Sequence, residues 1–148
     1  MMDKNNKDIL VKSLIANEGI KLKPYRDTVG KLTIGVGRNL DDRGITKEEA
    51  LFLLNNDIQC IEKELASLQN FALLSKPRQR VIIEMAFNLG IEGLMEFKVM
   101  WKALQAMDWT GAAKAMLDSL WAKQVGQRAV RLATCMRTGI DSAAPVDV

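Results

Sequence analysis

Histidine is missing from all 148 residues. Its absence removes Ser-His-Asp and Cys-His nucleophilic schemes together with every histidine-ligated metal site. The two cysteines, Cys60 and Cys135, are too few for a structural zinc cluster and can form at most one bridge. In a reducing compartment both are expected to be free thiols, buried as small apolar residues. No window approaches the roughly 18 consecutive apolar residues of a membrane span. Residues 1–7 are polar, and no apolar signal core follows them. The expectation is a chain made and kept in the cytoplasm, without stable membrane association. No internal repeat, low-complexity tract or Pro/Gly/Ser linker divides it.

What is present suffices for one domain with a genuine core, since 48% of the residues are apolar. A net charge of +3 points to an anionic partner. That description fits nucleic acid, acidic glycans and membrane surfaces alike.

Hydrophobic spacing predicts a first helix over about 8–17, stopped by Gly19 near Glu18. Residues 20–36 read instead as two short strands around the turn Asp27-Thr28-Val29-Gly30, the one convincing β segment. Thr46-Lys47-Glu48-Glu49 has the form of a capping box. It opens a long helix over about 47–68. Ser75 and Pro77 mark another helix entrance, whose apolar run through Val81, Ile82, Met85, Ala86 and Leu89 ends at Gly90. Further helices are predicted over about 97–107, from Trp109 behind an Asp108 cap to about 120, and over about 127–137, with a frayed tail from Asp141. The fold class is therefore α+β, mainly α: a small hairpin-bearing lobe and a helical lobe.

With neither histidine nor a Gly-x-Ser-x-Gly elbow, the natural acid and base candidates are carboxylates placed where the chain turns. Glu18 stands at a helix end and Asp27 at the start of the hairpin turn. Glycoside hydrolysis needs such a pair, one acid protonating the leaving oxygen and one carboxylate activating water or stabilising charge at the sugar carbon. On spacing alone, the same two residues are also what helix ends and turns ordinarily carry.

The residues around them narrow the choice. Asn17-Glu18-Gly19, then Leu22-Lys23-Pro24-Tyr25-Arg26-Asp27, then Leu32-Thr33-Ile34-Gly35-Val36-Gly37 resembles the phage-type lysozymes, glycoside hydrolase family 24. Both gaps of the family's Glu, Asp and Thr are preserved, nine residues from Glu18 to Asp27 and six from Asp27 to Thr33. The likeness continues through the start of the long helix, through Met85-Ala86-Phe87-Asn88-Leu89-Gly90, and through Trp121, Arg128-Ala129-Val130-Arg131 and Arg137-Thr138-Gly139. It leaves out only the ends.

The resemblance implies a single lysozyme domain over 1–148. Its N-terminal lobe would span about 18–46, its connecting helix about 47–68, and its helical C-terminal lobe about 69–140 with helix 8–17 packed on it. The glycan cleft would lie between the lobes. It also implies an endolysin, a muramidase that hydrolyses the β-1,4 bond between N-acetylmuramic acid and N-acetylglucosamine and so lyses bacteria. Glu18 would be the general acid, Asp27 would help activate water, and Thr33 would help hold that water, giving an inverted product. Phe87 and Asn88 would contribute to substrate binding, and Arg128 matches an arginine near the catalytic glutamate. The partner would be bacterial peptidoglycan, not nucleic acid, reached by a monomer after a holin-type membrane lesion. No cofactor and no metal is implied.

Three departures stand out. Arg38 replaces the histidine common after Gly-x-Gly, Asn88 replaces a glutamine, and segment 39–45 is much shorter than in the family's best-known member. Arg38 and Asp57 occupy positions that would face each other, so an arginine–aspartate pair is expected there. Trp121 is expected in the core, while Trp101 and Trp109 are open between core and sugar platform. Rival readings are a non-cutting wall-binding module, a helix-turn-helix nucleic-acid binder suggested by Lys123, Arg128, Arg131 and Arg137, and a lytic transglycosylase. Glu18, Asp27 and Thr33 together argue against the first, and Asp27 favours hydrolysis over the last.

Overall fold

The computed structural model describes residues 1–141; the expected fraying of the tail beyond Asp141 lies outside them. Of the described residues 67% are helical, with one small antiparallel sheet, the mainly α, α+β class expected. It divides into two compact units, Met1–Phe52 and Leu53–Val148.

In the first unit, α1 (Lys4–Glu18) starts four residues before the predicted helix, because the Asp3 side chain accepts from the Asn6 amide. Such a cap satisfies one orphan N–H of the first turn and lets a polar segment enter the helix. The chain then enters β1 (Lys21–Arg26), β2 (Leu32–Gly35) and β3 (Arg38–Asn39), hydrogen-bonded in that order. Tyr25 pairs with Thr33 and Arg26 with Leu32, and the register shifts between Lys21 and Tyr25. Pro24 lies in that irregular stretch of an edge strand, where its missing N–H breaks no ladder bond.

The long helix α2 (Lys47–Ala66) begins where the capping box predicts. The Thr46 hydroxyl accepts from the Glu49 amide at 3.1 Å, and the Glu49 carboxylate accepts from the Thr46 amide at 2.8 Å. The helix starts in the first unit and continues into the second.

The second unit continues with α3 (Gln69–Ala72) and α4 (Lys76–Met95). Ser75 marks the entrance to α4, but its side chain makes no capping hydrogen bond. Gly90, at φ 76°, breaks α4 where the sequence predicts its end, and one further turn follows. Then come α5 (Lys98–Gln105), α6 (Trp109–Leu117), α7 (Leu120–Val125) and α8 (Gln127–Thr138).

Buried Leu65, Ile82, Met85, Leu94, Met100, Met116 and Met136 form the centre of the core. Helix α6 packs on α5 and α8. Ala112 and Ala113 on α6 and Ala129 and Ala133 on α8 are all buried, and side chains this small allow backbones to come close. Arg78 pins the end of α8: its Nε donates to the Met136 carbonyl at 2.7 Å and Nη2 to the Arg137 carbonyl at 3.2 Å. The same guanidinium stacks 4.0 Å from the centre of the Trp109 ring, a cation–π contact.

Trp109 is thus a packing residue, and Trp101, with Nε1 donating to the Leu94 carbonyl at 3.1 Å, is buried. Both cysteines are free, and Cys135 is buried as expected. Burial raises its thiol pKa, with the nearby Asp141 carboxylate adding to the effect. Cys60 is exposed on α2, which corrects the expectation of two buried thiols.

Candidate active site

Glu18 is the last residue of α1, and Gly19 at φ 75° turns the chain out of the helix while its amide still bonds the Ile15 carbonyl at 2.8 Å. The Glu18 side chain is exposed and lies along Gly37 in the link between β2 and β3. A Cβ at residue 37 would stand 3.1 Å from Glu18 Oε2, and the φ there is +65°. Both facts call for glycine: the backbone is left-handed and a carboxyl passes close over it.

Asp27 organises the β1–β2 turn. Its Oδ1 accepts from the Val29 amide at 3.0 Å and the Lys31 amide at 2.8 Å. Its own amide bonds the Lys31 carbonyl at 2.9 Å. Such an Asx-type turn fixes the carboxylate's direction, and Oδ2 makes no hydrogen bond among the described residues. An acceptor oxygen is therefore aimed by backbone and left for an outside donor.

Thr33 sits on the central strand between Tyr25 and Asn39 and is 3% exposed, the one buried residue described in this unit. Its hydroxyl donates to the Lys31 carbonyl at 2.8 Å. That carbonyl belongs to the residue whose amide holds Asp27, so Thr33 and Asp27 are joined through Lys31. The hydroxyl oxygen keeps its acceptor capacity.

The hairpin is laced by further polar contacts. Lys31 Nζ meets Asp42 at 3.1 Å, and Asp41 accepts from the Leu32 amide at 2.8 Å. The hydrogen bond from Lys31 and a second from Asn39 lower the Asp42 pKa, and Asp42 in turn raises that of Lys31.

Arg38 pairs with Glu49, Nη2 to Oε1 at 2.6 Å and Nη1 to Oε2 at 2.7 Å, replacing the expected Arg38–Asp57 pair. Both terminal nitrogens of the guanidinium fork donate to one carboxylate, a geometry that a glutamate in the first turn of α2 can present. The Arg38 hydrogen bond, followed by the Thr46 amide, holds the Glu49 pKa down at about 2.

The remaining predicted residues lie in the second unit. Phe87 is exposed on α4 and lines a pocket of about 470 Å³ with Leu54, Ile58 and Ile83. Asn88 Oδ1 accepts from Trp121 Nε1 at 2.9 Å, and buried Trp121 stands edge-on to Phe97 with centroids 6.2 Å apart. Arg128 Nε donates to Glu84 at 3.1 Å. The structure thus brings Glu18, Asp27 and Thr33 into one unit, and in the other ties Asn88 to Trp121 and Arg128 to Glu84. Sequence reasoning had given no role to Gly37 and only a capping role to Glu49. The positive-φ demand on the last glycine of Gly-Val-Gly was the available signal for the former.

A carboxyl at a helix end, a backbone-oriented carboxylate and a hydroxyl tied to it suit acid–base chemistry on a water and an ether-type oxygen. The phage lysozyme family model matches residues 16–136, and the chain belongs to that family. It is a lysozyme-type cell-wall hydrolase, a glycosidase.

Among its relatives, "Pre-baseplate central spike protein Gp5" of Enterobacteria phage T4 is 30% identical over 93% of this chain. The chain spans 29% of the spike protein's length. "Probable T4-type lysozyme 1" of Dictyostelium discoideum is 29% identical over 83% of the chain and 90% of that protein. "Endolysin" of Salmonella phage P22 is 32% identical over 72% of the chain and 75% of that protein.

Proposed function

We propose that the chain is a muramidase that hydrolyses the β-1,4 bond from N-acetylmuramic acid to N-acetylglucosamine in peptidoglycan and thereby lyses bacteria. The observation that carries the reading is the common support of its three candidate residues. The Glu18 carboxyl at the end of α1 lies against Gly37 in the β2–β3 link, and Asp27 in the β1–β2 turn and Thr33 on β2 share Lys31, so the turns and central strand of one small sheet support all three.

Glu18 protonates the leaving oxygen as general acid. Asp27, through Oδ2, takes a proton from a water on the opposite face of the sugar, and Thr33 accepts from that water and fixes its direction. The water oxygen bonds the anomeric carbon as the glycosidic bond breaks. A single displacement of this kind inverts the anomer and requires carboxyls roughly 6.5–9.5 Å apart. Phe87 and Asn88 are assigned glycan contacts and Arg128 a supporting charge, on the family pattern alone. The enzyme acts as a monomer, and it reaches the wall from the cytoplasm through a lesion such as a holin makes.

Digestion of purified sacculi, followed by mass spectrometry of the released muropeptides, tests the reading. Hydrated reducing muramic acid ends are expected. Anhydro-muramic ends would show the transglycosylase reaction instead, and binding of sacculi without release would show a wall-binding module.

A further inference from the structure

Arg38 lies between two backbone positions that meet the candidate site. The residue before it, Gly37, faces the Glu18 carboxyl so closely that a Cβ there would stand 3.1 Å from Oε2. The residue after it, Asn39, is the strand partner of Thr33. β3 is only two residues long, so its own ladder is a weak anchor.

The side chain supplies a stronger one. Arg38 holds Glu49 through two bonds, and Nη1 also donates to the Gly44 carbonyl at 3.2 Å, closing the loop after β3. Glu49 is itself fixed, because its carboxylate and amide are both engaged with Thr46 at the start of α2. The strand is therefore bolted to the first turn of a 20-residue helix. The Arg38 side chain is 23% exposed and that of Glu49 39%, so the pair is partly shielded from solvent.

We propose that Arg38, through Glu49, is a positioning residue for the hydrolytic site, holding Gly37 under the Glu18 carboxyl and β3 against Thr33. It touches no reacting atom. An ion pair that only stabilised the surface would leave turnover unchanged. One that sets the geometry of the acid lowers turnover while leaving binding alone, because small displacements of a reacting group cost rate steeply. A lysine in its place keeps the charge but loses the two parallel bonds. The inference rests on the assignment of Glu18 made above.

The test uses the purified full chain on sacculi, well below its thermal midpoint, with Arg38→Gln, Arg38→Lys, Glu49→Gln and the double Arg38→Gln/Glu49→Gln. Arg38→Gln is expected to lower kcat roughly ten- to a hundredfold with KM nearly unchanged. Arg38→Lys should recover part of that loss. The double variant should be no slower than the slower single one, since both remove the same bond. A second readout does not depend on activity: the side-chain carboxyl carbon of Glu18, followed by NMR, should shift in Arg38→Gln. Should that variant fail to fold, Arg38→Lys carries the same comparison. Wild-type kcat in folded Arg38→Gln, or a loss matched by the unfolded fraction with the Glu18 resonance unmoved, overturns the proposal. A wild-type chain inert on sacculi removes the hydrolase assignment, while the Glu18 resonance still decides whether Arg38 positions that carboxyl.

Discussion

Residues 53–141 and residues 1–52 are held together by different means. Every buried apolar residue described lies in the former, from Leu65 to Met136, whereas the latter buries only Thr33. In place of a core, the smaller unit has backbone-bonded Asp27, the Lys31–Asp42 and Arg38–Glu49 pairs and a reciprocal capping box. Polar lacing fixes side chains in direction while leaving them wet. Carboxylates that must meet a sugar and a water are cheaper to keep in such a setting than in a core, where burying a charge is costly. The comparison predicts that changes in the small unit alter rate at little cost in stability, and that changes in the large unit do the reverse.

The largest expected effect is on rate. Glu18→Gln preserves shape but cannot donate the proton, so clearing of permeabilised Gram-negative cells should fall roughly a thousandfold, with the thermal midpoint nearly unchanged. Clearing at near wild-type speed would remove Glu18 from the chemistry.

The mirror experiment is Leu94→Ala, which empties a fully buried position. It should cost about 2–5 kcal/mol in chemical denaturation, with specific activity retained while the chain is folded. A loss of activity in excess of the unfolded fraction would break the division of labour between the two regions.

Next in size is Thr33→Val, which deletes the hydroxyl bonded to Lys31 and keeps the β-branched shape. Turnover should drop strongly, and combination with Asp27→Ala should cost less than the product of the separate losses, because the proposed mechanism has both act on one water. Multiplicative losses would mean that they act apart.

The smallest effect is on the acid limb of stability. The folded Glu49 pKa lies at about 2, below its ordinary 4.5. The stability it contributes is therefore fully present above about pH 4.5 and lost as pH falls toward 2. Glu49→Gln should be less stable at neutral pH and should flatten the fall of the thermal midpoint across that window. An unchanged acid profile would show that the ion pair contributes little to folding.

Much of this was legible in the sequence where a local rule acts alone. Thr46 and Glu49 announce α2 because both halves of the capping box sit within one turn, and Gly90 breaks α4 because it adopts φ 76°. The hairpin was readable from two short strands around its Asp27–Gly30 turn. β3 was not, because Arg38 and Asn39 are polar and owe their extended form to pairing with Ile34 and Thr33. α7 was missed for a related reason: Ser119 caps it by accepting from Ala122, but only the end of α6 at Leu117 makes room for a new helix start.

Of the candidate site, Glu18, Asp27 and Thr33 were legible through spacing matched to a family. The partner of Arg38 was not, because a long arginine chooses among carboxylates by reach, and Glu49 in the first turn of α2 meets its fork. Trp101 and Trp109 stayed open until the Leu94 carbonyl and the Arg78 guanidinium gave each a packing partner.

The most direct test of the central claim, that Glu18 and Asp27 act on opposite faces of one sugar, is the anomer first released. Proton NMR of a peptidoglycan fragment during cleavage, read before mutarotation, should show the α reducing end appearing ahead of the β. A β product released first would contradict single displacement by an Asp27-held water and would require a covalent or substrate-assisted route.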